Sequence, residues 1–187
     1  MNFVKTYNNV LTSKQCEDII QKFESHPEQH VKTYLQNHMS FTELNINQYK
    51  KDWEQELFIL FTTMQVFLQQ YKKDLNIDDR VWPEKMGYEQ LRMKKYVPNT
   101  EDEFKFHVDV DDYFSARRFL VYFWYLNDVD VGGETVFQTN RNTKPHIKVR
   151  PKTGKLLMFP PLWTHPHVAM PPISNTKYII GGYLHYI

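Results

Sequence analysis

Polar and apolar positions follow two different periods along the chain. Up to about residue 80 the period is helical. Thr12-Ser13-Lys14-Gln15 fits a capping box, in which the Thr12 hydroxyl and the Gln15 amide satisfy free N–H groups at a helix start. Cys16, Ile19, Ile20 and Phe23 follow at helical spacing, and Pro27 stops the helix. A second helix is expected from about Tyr49 to Tyr71, with Trp53, Leu57, Leu60, Phe61, Met64, Leu68 and Tyr71 as its apolar stripe. Residues 31–47, between the two, read as strand and loop. From about residue 86 short apolar or alternating runs are separated by Gly, Pro, Asn and Asp turns, which predicts strands near 88–97, 103–109, 117–126, 134–138, 146–149, 155–159 and 176–186. The run Phe119–Leu126 is apolar at both parities and marks a central strand covered on both faces. A row of short strands after a helical half predicts an α+β, mainly β fold: an antiparallel sandwich or barrel buttressed by helices. No repeat or low-complexity linker interrupts the chain, so residues 1–187 are expected to form a single domain, 1–80 mainly helical support and 86–187 the β core.

Composition narrows the classes. The 187 residues are 41% hydrophobic and 16% aromatic, with thirteen Phe, twelve Tyr and four Trp. Such side chains fill wide β interiors and line small-molecule pockets. A net charge of +1, without a long single-sign block, argues against a nucleic-acid partner. Cys16 is the sole cysteine, which precludes an intrachain disulfide and suits a reducing compartment. The N-terminus lacks the apolar run of a signal peptide, and no stretch approaches the ~20 apolar residues of a membrane span. The expectation is a soluble cytoplasmic protein with no membrane association.

The chemistry starts at Phe106-His107-Val108-Asp109. In a strand, residues i and i+2 share a face about 6.5–7 Å apart, so His107 and Asp109 converge on one side. Such pairs arise by chance, as His26-Pro27-Glu28 shows. Two histidines and one carboxylate on one face of a metal leave three positions open, the arrangement that suits non-haem Fe(II) oxygenases. His146, His165, His167 and His185 are the downstream candidates for the third ligand. Lys177 begins the final strand, and its face continues with Ile179, Gly181 and Tyr183. An inward lysine there is costly unless it meets an anion, and a bound dicarboxylate is such an anion; the plain alternative is an edge lysine in water.

Taken together, His107-x-Asp109, Leu126-Asn127-Asp128, Gly132-Gly133-Glu134-Thr135-Val136-Phe137, Gly154-Lys155-Leu156-Leu157-Met158-Phe159, His167 and Lys177 resemble the prolyl 4-hydroxylase branch of the Fe(II)/2-oxoglutarate-dependent oxygenases. The likeness covers roughly residues 88–187. It implies a double-stranded β-helix, a jelly-roll or cupin-like barrel, with the N-terminal helices packed behind its main sheet. The family's distal histidine lies nine or ten residues before the basic residue. His167, ten before Lys177, meets that spacing, whereas His165, twelve before, does not. The resemblance therefore implies His107, Asp109 and His167 as iron ligands and catalytic residues, and Lys177 as the co-substrate's cation. It places Tyr96, Tyr125 and Thr135 in the co-substrate pocket, although each tyrosine reads equally well as a core aromatic. Two departures stand out: the gap from Tyr96 to His107 is long, so Val97–Asp102 should bulge, and Ala169 stands where the family often has glycine.

The activity implied is that of a procollagen-proline 4-dioxygenase-like enzyme. An unactivated C–H bond is hydroxylated, coupled to oxidative decarboxylation of 2-oxoglutarate to succinate and CO2, with Fe(II), O2 and ascorbate as the associated cofactors. The carboxylate of Asp109 argues against halogenation, which needs Ala or Gly there. The implied substrate is a proline-containing peptide or protein lying near Asp111–Arg118 and residues 36–48. Tyr113, Phe114 and Trp163 are candidate apolar contacts, and Arg117 and Arg118 candidate partners for an acidic substrate. A free amino acid hydroxylase and a non-catalytic β-barrel binding module remain as alternatives. A nucleic-acid demethylase does not fit, since no arginine follows Lys177.

Overall fold

The computed structural model describes residues 3–140 and 144–187. Helix α1 runs Ser13–Ser25, and its capping box forms: Thr12 accepts from the Gln15 N–H while the Gln15 side chain accepts from the Thr12 N–H. It ends just ahead of Pro27, which opens a 3-10 turn. Helix α2 runs Glu54–Asp74 and begins later than the periodicity predicts, because Ile46–Tyr49 first wind into a 3-10 turn. Cys16, Ile19 and Phe23 of α1 and Leu60, Met64, Leu68 and Tyr71 of α2 are buried, as is Trp53 at the α2 N-cap. Phe61, expected in that stripe, is instead 41% exposed and meets Tyr88 edge-on at 4.9 Å. One residue beyond Leu60 is about 100° further round the helix, which carries it past the buried face.

The described residues form twelve strands: β1 Lys5–Tyr7, β2 Val31–Leu35, β3 Met39–Asn45, β4 Met86–Tyr88, β5 Arg92–Tyr96, β6 Glu103–His107, β7 Arg118–Tyr125, β8 Thr135–Phe137, β9 Ile147–Val149, β10 Lys155–Phe159, β11 His167–Ala169 and β12 Lys177–Tyr186. Their hydrogen-bonded order is β1-β10-β7-β12-β5-β3-β6-β11-β8-β9, with β2 paired to β3 and β4 to β12. Every pairing is antiparallel.

The alternation on β7 explains its doubly apolar sequence. Leu120, Tyr122 and Trp124 pack with α1 and α2, while Val121 and Tyr125 face the other way, with Leu157, Phe159 and Phe137. The wide sheet, β1 through β3, thus has helices behind it and a second sheet, β6-β11-β8-β9, in front. Phe159 of β10 lies 4.8 Å from both the Phe137 ring of β8 and the His167 ring of β11, so the two sheets face each other as a squashed double-stranded β-helix. Strand β3 joins them by pairing with both β5 and β6. Residues 1–80, expected to be mainly helical, therefore also supply β1, β2 and this bridging strand. The stretch after Tyr96 forms a turn with Asn99 at φ 58°, closed by the Asp102 carboxylate, which accepts from the Val97 N–H, Ser40 and Lys32. Among the described residues, no helix is long and apolar enough to cross a membrane.

Candidate active site

Strand register brings the ligand candidates together. His107 ends β6, His167 begins β11, and the two are paired residues. Asp109 follows two positions after His107. One donor atom from each of His107, Asp109 and His167 lies within 4.8 Å of the others. His167 Nε2 is 3.5 Å from Asp109 Oδ2, and His107 Nε2 is 3.9 Å from Oδ1.

Each imidazole is held by its other nitrogen. His107 Nδ1 donates to the Lys105 carbonyl at 2.6 Å and His167 Nδ1 to the His165 carbonyl at 3.1 Å. A carbonyl only accepts, so the proton resides on Nδ1 and the Nε2 lone pair points at the centre. Phe104 stacks on the His107 ring at 3.5 Å. Burial, reinforced by the neighbouring His167, pushes the His107 pKa well below the ordinary imidazole value and keeps that ring neutral. Tyr183 donates to Asp109 Oδ1 at 2.7 Å, whereas the buried Asp109 Oδ2 has no hydrogen-bond partner. Burial first, and then the Asp109 charge, raise the Tyr183 pKa well above its ordinary value, so the phenol remains a donor. Two nitrogen lone pairs and an orphaned carboxylate oxygen aimed at one point repel unless a cation sits between them. The residues therefore fit a divalent metal with nitrogen and oxygen ligands.

Lys177 lies in the same chamber and is 1% exposed. Its Nζ donates to the Gly133 carbonyl at 2.8 Å and stands 4.9 Å over the Tyr96 ring. Burial pushes its pKa down to about 7, opposed by the charge of Glu134. The backbone is fixed on both sides of this lysine: the Tyr178 N–H donates to Asn127 Oδ1 at 2.9 Å, and Asn127 Nδ2 donates to the Thr176 carbonyl at 2.7 Å. Tyr96 and Thr135 line the chamber. Tyr125 stands behind that wall and donates its hydroxyl to Thr135 at 2.7 Å. The chamber, about 60 Å³, shares Lys94, Phe104, Val121, Phe123, Ile179 and Tyr183 with an open groove of about 710 Å³.

Of the four downstream histidines, only His167 meets His107 and Asp109. The His165 ring bonds the Thr164 hydroxyl and lies edge-on to Phe3. His146 contacts Thr139, and His185 lines the outer groove. Phe114, Arg117 and Arg118 also line the groove, along with Met39, Phe41 and Glu43. Tyr113 and Trp163, named as possible substrate contacts, are 89% and 79% exposed and do not line it. Arg118 is occupied by Glu89 and the Asp109 carbonyl. Sequence reasoning missed Tyr183 as the Asp109 partner, although it shares the face of Lys177. It also missed Asn127 as the clamp, although that residue lies inside a quoted motif.

A three-donor metal face beside a buried ammonium, inside a double-stranded β-helix, defines a metal-dependent site for an acidic co-substrate. Residues 91–185 match the family model described as the 2OG-Fe(II) oxygenase superfamily, and the chain belongs to that superfamily. It is a 2-oxoglutarate-dependent dioxygenase, and its family implies Fe(II), 2-oxoglutarate and O2. None of the curated proteins matches significantly. Among solved structures, a prolyl hydroxylase from Trichoplax adhaerens, in complex with a hypoxia inducible factor oxygen degradation domain peptide fragment, has TM-score 0.78 and 18% identity over 99% of this chain and 84% of that one. A Pseudomonas putida prolyl-4-hydroxylase has TM-score 0.71 and 15% identity over 100% and 94%. The viral collagen prolyl hydroxylase of Paramecium Bursaria Chlorella virus-1, as its 2OG complex, has TM-score 0.68 and 17% identity over 100% and 97%. The shared fold is thus that of the prolyl hydroxylases.

Proposed function

We propose that this protein hydroxylates a prolyl residue in a peptide or protein, acting as one oxygenase domain in the cytosol. His107 Nε2, Asp109 Oδ2 and His167 Nε2 would hold Fe(II), and Lys177 would take the distal carboxylate of 2-oxoglutarate. The observation that carries this reading is the orphaned Asp109 Oδ2, 3.5 Å from His167 Nε2, in a carboxylate whose other oxygen lies 3.9 Å from His107 Nε2, beside a buried lysine.

Iron held there would activate O2, the oxidant both for C–H hydroxylation and for the conversion of 2-oxoglutarate to succinate and CO2. The chain's own residues orient and shelter that chemistry. Tyr183 holds Asp109 so that one oxygen points inward. Lys105 and His165 carbonyls fix the tautomers of His107 and His167. Lys177, braced by Asn127 and Gly133, offers a proton-bearing amine to a carboxylate at the deep end. Tyr96, Phe123, Phe159 and Ile179 keep water away from it.

The open groove beside the chamber is suited to an extended peptide, and the structural neighbour carrying a peptide lends support. Synthetic proline peptides and host-lysate peptides, incubated with protein, Fe(II) and 2-oxoglutarate, test the reading. Metal-dependent succinate and a mass gain of one oxygen on proline are expected. Succinate with oxygen on other residues, or on free amino acids, would exclude the prolyl assignment.

A further inference from the structure

Lys94 points into the passage between chamber and groove, and nothing above gives it a task. On β5 it occupies the inward position next after Tyr96, and it is paired with Ile179 on one side and with Glu43 on the other. Glu43 is thus its cross-strand neighbour, but the Glu43 carboxylate bonds Arg92 at 3.0 Å instead. Lys94 Nζ is left 4.5 Å over the Phe41 ring and 5.3 Å over the Phe104 ring. Phe104 in turn stacks on His107, so one aromatic ring separates this ammonium from a metal-ligand candidate. Lys94 has no hydrogen bond or ion pair to any described residue, whereas Lys177, Arg92 and Arg118 each have a partner. Burial lowers its pKa, with Glu43 the largest opposing influence.

A largely buried cation without an anion costs stability unless a ligand compensates. Two lysines serve this cavity, and one 2-oxoglutarate needs only one of them at its distal end. Lys177 holds the deep end at the Tyr96 level. Lys94 is one inward position nearer the groove, where Arg92 continues the row outward, on the side from which a substrate approaches.

We propose that Lys94 is a specificity-determining residue that binds a carboxylate of the substrate, close to the carbon that is hydroxylated. This rests on the oxygenase reading above and narrows its substrate to an acidic one. The carboxylate comes either from an Asp or Glu side chain near the target residue or from the α-carboxylate of a free imino acid.

The test uses full-length protein loaded with Mn(II) and 2-oxoglutarate, so that binding is read without turnover. One pair of probes is acetyl-Glu-Pro-Glu-amide and acetyl-Gln-Pro-Gln-amide; the other is L-proline and L-prolinamide. Calorimetry should show the acidic member of one pair binding at least about ten-fold more tightly, and that pair identifies the source. In Lys94→Met, which keeps a long side chain over Phe41 and Phe104, the preference should fall below about three-fold while 2-oxoglutarate affinity is unchanged. Equal binding within both pairs, or a preference that survives in Lys94→Met, overturns the proposal. So does a large loss of 2-oxoglutarate affinity in that variant, which would assign Lys94 to the co-substrate. A wild-type protein that binds no 2-oxoglutarate with Mn(II) overturns the oxygenase reading itself.

Discussion

Asp109 and Lys177 show how single residues are prepared for absent charge. Tyr183 takes one Asp109 oxygen and leaves the other for a cation. Tyr183→Phe removes only a hydroxyl, and outer hydrogen bonds of this kind set metal affinity over a range of about 10–100-fold. A roughly ten-fold weaker Fe(II) affinity in anaerobic titration, with an unchanged circular dichroism spectrum, is expected. Lys177 stores a second imbalance. Its pKa is about 7 when folded, against an ordinary 10.5. Between those values the unfolded chain holds a proton that the folded chain lacks, so stability should rise as pH climbs through that window. Below pH 7 the full penalty applies. Lys177→Met should stabilise the ligand-free protein by roughly 1–3 kcal/mol at pH 7 in denaturant melts, while abolishing 2-oxoglutarate binding. A carboxylate arriving at this amine restores its proton. Calorimetry at pH 8 in buffers of different ionisation enthalpy should therefore show uptake of about one proton per 2-oxoglutarate bound, and little at pH 6.

Among elements, β12 decides where the co-substrate cation sits, and Asn127 decides where β12 begins. Its amide bonds the peptide groups on both sides of Lys177, so Asn127→Ala should let that strand end fray. The expected readout is a KM for 2-oxoglutarate raised about ten-fold with a smaller change in kcat, since Asn127 touches no reacting atom. The strands that were legible in the sequence, 155–159 and 177–186 among them, are long enough for alternation to show. β1 and β11 were not legible, and β4 and β5 were expected as one continuous strand near 88–97. A window of three cannot display a period by itself: β8 and β9, equally short, were legible from the Gly132-Gly133 turn and from Pro145 and Pro151 around them, whereas β11, which carries His167, follows Pro166 in a stretch that reads as loop. Position 167 was reached through spacing to Lys177 within a family pattern, not through periodicity. β3 was visible as strand, but its place as the bridge between the sheets was not, because pairing partners leave no mark on a strand's own alternation.

At the scale of the whole molecule, the site closes the fold on itself. His107 and His167 belong to the front sheet, Tyr183 and Lys177 to the wide one, and Asp109 is bonded to Tyr183 across the gap. A metal held by His107, Asp109 and His167 therefore ties both sheets, and its binding energy should appear as global stability. At one hundred times its Kd a ligand adds about 2.7 kcal/mol, which for a chain of this size raises Tm by roughly 5–10 °C. Mn(II) with 2-oxoglutarate should produce that rise in the wild type. His167→Ala should lose it, since the imidazole nitrogen 3.5 Å from Asp109 Oδ2 is then gone and two donor side chains remain of three. His165→Ala should keep it, because that residue's ring lies against Thr164 and Phe3 and contributes only a backbone carbonyl to the site, which alanine retains. The reverse pattern, with the rise lost in His165→Ala and kept in His167→Ala, would place the third ligand outside the pair of strands β6 and β11. The register of His107 against His167 would then have no part in metal binding.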